Sequence, residues 1–113
     1  MASPNLTDED RRFLRDYLEA LDRDFSAVVE TVTVFGSKAR GEATPESDLD
    51  VLVLINRGDW RLKWRIADTA YGLAVGTAVV PSVKVYTRQE WERLQWLGSE
   101  FYAAVAHDGV AAA

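Results

Sequence analysis

Two aspartates, Asp48 and Asp50, stand one residue apart at the head of the apolar run Val51 to Ile55. Residues two apart on a strand point to the same face, so the two carboxylates lie side by side while Leu49 turns into the core. Like charges this close repel. Unless well solvated, such a pair shares a proton or holds a cation, and hard oxygen ligands suit Mg²⁺ or Mn²⁺. A Mg²⁺ bound by few carboxylates completes its shell with water and substrate phosphates, which makes a nucleoside triphosphate the natural third component. Upstream, the Gly36-Ser37 turn supplies a complement. Glycine lets the backbone approach a phosphate, exposed N–H groups at a helix start favour anions, and Ser37 adds a hydroxyl donor. Arg40 is placed to neutralise the same charge.

These groups need two strands whose ends meet. Val28 to Phe35 is rich in β-branched residues and runs into Gly36, which predicts a strand ending in a tight turn. The Gly, Pro, Thr and Ser content of the following segment marks a loop, with one helical turn at Ser37 to Arg40. Asp48 to Ile55 is apolar after its acidic start, as expected of a central strand covered on both faces. If the strands pair, the turn after Phe35 and the start at Asp48 meet at one end of the sheet.

The remaining elements surround that pair. Phe13, Leu14, Tyr17, Leu18 and Leu21 recur at helical spacing between Thr7 and Phe25, with Thr7 as N-cap and an acidic face in solvent. A helix from Asp59 to about Val75 aligns Leu62, Ile66, Ala70 and Leu73 in one stripe and Trp60, Trp64, Ala67 and Tyr71 in another. Ala78 to Tyr86 reads as a strand that Pro81 assigns to an edge or bulge. Thr87 to Glu90 forms a capping box for a helix through Trp91, Leu94 and Leu97, and a last helix spans Phe101 to His107. The expected fold is α+β, a small mixed β-sheet flanked by helices in a single domain, 1–113. The tryptophans, all on predicted helices, are expected to pack in the core or against a partner.

Composition narrows the partners. A formal charge of −5 argues against general nucleic-acid binding, which needs a basic face. The chain has no cysteine, and its most apolar window, Ala67 to Val80, is too short and too Gly-interrupted to span a bilayer. A cytoplasmic protein that does not enter membranes is expected. The lone histidine, His107, is given no role.

The segment GSKARGEATPESDLD, Gly36 to Asp50, resembles the minimal nucleotidyltransferases of the polymerase-β-like superfamily, whose signature is Gly-Ser, ten residues, then Asp-x-Asp. The preceding VTVF, Ala39-Arg40-Gly41 and Ser47 are also similar to that family. The resemblance implies a polymerase-β-like core and transfer of a nucleotidyl group, AMP from ATP, to a hydroxyl on a protein or small molecule, with two Mg²⁺ (or Mn²⁺) ions stabilising the in-line displacement. It implies that Asp48 and Asp50 are the catalytic, metal-binding carboxylates and that Gly36, Ser37 and Arg40 bind the nucleotide. It also raises an antitoxin-like role beside a helical HEPN-type ribonuclease toxin, by adenylylation or by contact alone, and a role as a nucleotide-sensing regulator. One feature departs from the family. Active members usually carry a third carboxylate on the strand after the central helix, and AVVPSVKVY has none, with Val80, Ser82 or Lys84 at the corresponding place. Lys84 is expected to extend into solvent, and Glu42 and Glu46 in the loop are candidate substitutes for the acid.

Overall fold

The computed structural model describes residues 5–44 and 47–112. Among them a four-stranded mixed sheet carries five helices. In chain order these are α1 (Asp8–Phe25), β1 (Val29–Phe35), α2 (Gly36–Arg40), β2 (Leu49–Ile55), α3 (Trp60–Ala74), β3 (Pro81–Thr87), α4 (Arg88–Trp96), α5 (Glu100–Asp108) and β4 (Val110–Ala111). The strand order is β3-β2-β1-β4, with β2 parallel to β3 and β1 antiparallel to both β2 and β4. β2 is therefore interior, as its apolar run predicts, and Pro81 opens the edge strand β3.

Alternation along the strands separates two faces. Leu49, Val51, Val53 and Ile55 of β2 are fully buried on one face. They join Val32 and Val34 of β1, Val83 of β3, Phe13, Tyr17 and Leu21 of α1, and Ile66 and Ala70 of α3 in one core. Each such aliphatic side chain contributes roughly 1.5–3 kcal/mol on burial. The Tyr17 hydroxyl donates to the Ile66 carbonyl at 2.8 Å, tying α1 to α3. The opposite face carries Phe35, Asp50, Leu52, Ser82, Lys84 and Tyr86. Phe101 of α5 sits edge-on to Phe35 and beside Tyr86, and Trp91 of α4 contacts Tyr86, Phe101 and Tyr102. Together they cover part of that face, and Leu52 beneath is only 2% exposed.

Local signals set the helix ends. Thr7 caps α1 and Thr87 caps α4, each in a full capping box with Asp10 and Glu90 respectively. Asp59 caps α3 through the amides of Arg61 and Leu62. The anticipated helical turn after Phe35 is α2.

Three expectations need correction. β4 was not anticipated, because two residues leave no periodicity; it pairs with Thr33 and Val34 of β1. Trp60, Trp64 and Trp96 are 68%, 61% and 81% exposed, so the core reading fails for them and holds in part only for half-buried Trp91. The acidic face of α1 is not wholly solvated, since Asp10 is buried in an ion pair with the equally buried Lys38 of α2.

Candidate active site

Three strand ends meet where the chemistry was expected. Phe35, the last residue of β1, is in register with Asp50 near the start of β2, and Asp50 is in register with Ser82 near the start of β3. Gly36 follows at φ +75°, a left-handed conformation that only glycine adopts without strain. A Cβ placed on Gly36 would collide with Asp50 Oδ2 and lie 3.0 Å from Asp50 Cγ. The backbone of the turn thus passes directly against the carboxylate.

Asp48 is exposed just ahead of β2, and Asp50 is half-buried. Burial first, and then the charge on Asp48, hold the Asp50 carboxyl above the usual carboxylate range. The Ser82 hydroxyl, and then the charges of Lys84 and Arg40, ease it part of the way back. A carboxylate pair in this condition gains by taking up a cation.

Ser37, half-buried, lies beside Gly36 in the first turn of α2, and its carbonyl accepts from the Glu42 amide at 3.0 Å. Arg40 is less directly placed. Its Nε lies 3.1 Å from Glu42 Oε2 and its Nη1 3.5 Å from Asp108 Oδ2, beside a cleft of about 410 Å³ formed with His107 and Gly109. Gly36, Ser37, Asp48 and Asp50 are gathered at the sheet end, whereas Arg40 is anchored toward α5 and reaches Asp50 only through its longer-range charge.

Glu42 is occupied by Arg40 and exposed, and Glu46 lies outside the described residues. Ser82 and Lys84 take the places beside Asp50 and Leu52. Among the described residues no group of three or more His, Cys, Asp or Glu side chains could hold a metal ion. The donor set is therefore two carboxylates and a hydroxyl, which fits one hard divalent cation completed by water and phosphate oxygens.

The support beneath the turn has no counterpart in the sequence pattern. Lys38 and Asp10 pair in the interior, and Asp10 Oδ2 also accepts from the Thr7 amide at 3.0 Å. The Asn5 amide donates to the Lys38 carbonyl at 2.7 Å, and the Asn5 side chain donates to the Ala43 carbonyl. The head of α1 thereby holds both sides of α2. A lysine in a polar turn carries no sequence signal of burial.

The sheet order and the acid pair at its end define the class, an α+β fold of nucleotidyltransferase type. Residues 14–100 match the nucleotidyltransferase domain family, and the chain belongs to that family. No curated protein matches the sequence. A candidate nucleotidyltransferase from Sulfolobus solfataricus shares the fold at a TM-score of 0.56 and 19% identity, over 89% of this chain and 77% of that one. A toxin–antitoxin structure with AMP-PNP does so at a TM-score of 0.55 and 20% identity, over 87% of this chain and 71% of that one. At such identities the likeness speaks for the fold alone. No helix among the described residues is long and apolar enough to cross a membrane.

Proposed function

We propose that this member of the family is a Mg²⁺-dependent (or Mn²⁺-dependent) nucleotidyltransferase that moves AMP from ATP to a hydroxyl on a protein or small molecule. The observation that carries this reading is the contact of the Gly36 backbone with Asp50, at the sheet end where Asp48 also stands. In this reading Asp48 and Asp50 hold the cation, Gly36 and Ser37 seat the triphosphate, and Arg40 adds positive charge at the rim. The cation supplies Lewis-acid charge neutralisation at the phosphates. The acceptor oxygen forms a bond to the α-phosphorus, the bond from that phosphorus to the β-bridging oxygen breaks, pyrophosphate leaves and the hydroxyl proton passes to water. AMP-PNP in the toxin–antitoxin neighbour makes ATP the nucleotide to test first.

Incubation with α-³²P-ATP, Mg²⁺ and candidate acceptors is expected to show label transfer that Asp48→Asn and Asp50→Asn each abolish. Undiminished transfer in both variants would refute the assignment. Asp50→Asn carries a second expectation. A carboxyl whose folded value is raised keeps its proton longer in the folded chain than in the unfolded one, so its ionisation lowers stability as pH rises through that window. In the absence of metal, Asp50→Asn should therefore melt at a higher temperature than wild type at neutral pH. The two melting curves should converge at acid pH, where the wild-type carboxyl is protonated in both states.

A second reading rests on the exposed tryptophans: an antitoxin-like protein that binds a helical HEPN-type toxin. Trp60 and Trp64 stand a helical turn apart on the solvent side of α3, with Arg61 5.0 Å over the Trp60 ring, and tryptophan and arginine are the residues that anchor interfaces. Replacing both tryptophans with alanine is expected to weaken toxin binding by about 2 kcal/mol or more while leaving ATP binding intact. Titration against the purified toxin checks it, and unchanged affinity would remove α3 from the interface.

A further inference from the structure

The strand beside the acid pair places a cation where a further metal ligand would have to stand. β2 and β3 are parallel and in register, with Asp50 opposite Ser82 and Leu52 opposite Lys84. Neighbouring residues in register share a face, and so do residues two apart, so Asp50, Ser82 and Lys84 form a row on the site face. Lys84 is exposed and takes part in no ion pair among the described residues. Of the other basic groups near the site, Arg40 is held by Glu42 and Asp108, and Lys38 by Asp10. Lys84 is thus a cation with free donors beside the carboxylates.

The charge balance decides what such a lysine does. One divalent ion offsets the two carboxylates. A second, placed about 3.5–4 Å from the first as in two-metal sites, would have to share those acids and meet the ammonium of Lys84. Like charge and lack of ligands both oppose it. A triphosphate, by contrast, brings negative charge that one ion and two aspartates leave unbalanced, and an ammonium donates readily to phosphate oxygens.

We infer that the site takes a single divalent cation and that Lys84 binds the nucleotide's phosphate oxygens in place of a second one. This rests on the assignment of Asp48 and Asp50 as cation ligands. Wild type saturated with α,β-methylene-ATP and Mn²⁺ should hold one Mn²⁺ per chain, counted from the electron paramagnetic resonance signal of the free ion. Lys84→Asp, which places a further acid in the row, should hold two. Lys84→Gln should keep one and bind the nucleotide about tenfold or more weakly by calorimetry, the ordinary loss for a charge-assisted contact. Lys84 is exposed, so both variants should fold, and a circular dichroism melt verifies this. Two Mn²⁺ in wild type, one in Lys84→Asp, or unchanged affinity in Lys84→Gln would each overturn the inference. Wild type binding neither Mn²⁺ nor nucleotide would instead sink the aspartate assignment, and the lysine's role with it.

Discussion

Gly36→Ala is expected to lose nucleotide binding and to destabilise the fold by roughly 2–4 kcal/mol, the sum of a left-handed backbone penalty and a steric one. The backbone at this position has φ +75°, and the added methyl would occupy the space of Asp50 Oδ2. The clash can be relieved only by swinging the carboxylate aside or opening the turn, and either movement separates the two halves of the proposed site. Gly76 provides the control. It has a similar φ of +79° but nothing within 4 Å of its notional Cβ. Gly76→Ala should therefore show the conformational penalty alone, about 1–2 kcal/mol, with ATP affinity unchanged. Urea melts and calorimetry on the two variants separate strain from contact. Native ATP affinity in Gly36→Ala would show that the turn does not form the nucleotide seat.

Much of the arrangement was legible because its causes are local. The β-branched run into Gly36, the apolar run after Asp48, the Thr87 to Glu90 capping box and Pro81 at a strand edge all act through nearest neighbours, and the structure follows each of them. The meeting of the Gly36 turn with Asp50 was also readable, since two paired strands joined by a loop bring those ends together. Long-range effects were hidden. β4 exists because the chain after α5 returns to β1, with the Ala112 amide donating to the Val32 carbonyl at 2.8 Å, and no pattern in two residues announces that. The stripe of Trp60 and Trp64 was legible as a stripe. Which stripe of α3 the sheet would cover was not, because both are apolar, and Ile66 with Ala70 took the core. The pairing of Arg40 with Glu42 and Asp108 was likewise hidden, since Asp108 lies 68 residues away in the sequence.

The position of the site relative to the core explains how a short chain can keep two acids close together. The carboxylates lie at the end of the strand whose other residues are the best buried in the sheet, so repulsion between them acts on the most firmly held element. The turn facing them has no comparable strand beneath it. α2 has five residues and makes its closest polar ties to the head of α1, through Asn5 and Asp10.

Those ties make the Asp10–Lys38 pair the second position of large effect. Both side chains are almost completely buried, and charges that far from water remain only because each compensates the other. Lys38→Met leaves the Asp10 carboxylate with the Thr7 amide as its remaining donor. The expected cost is about 3–5 kcal/mol, the usual result of orphaning one member of a buried pair. Adding Asp10→Asn to Lys38→Met removes the orphaned charge while an amide oxygen can still accept from Thr7. The double variant should then recover most of the loss, and a double-mutant cycle should return a large coupling energy. Function should separate from stability in that variant. With the fold restored but the ionic tie absent, the hydrogen bonds of Asn5 are what remains of the polar ties between α2 and the head of α1 among the described residues, so ATP affinity should stay below wild type although Asp48 and Asp50 are untouched. If the double variant binds ATP as wild type does, the pair only fills the interior. If Lys38→Met unfolds no more readily than wild type, the pair is not confined to the interior in solution.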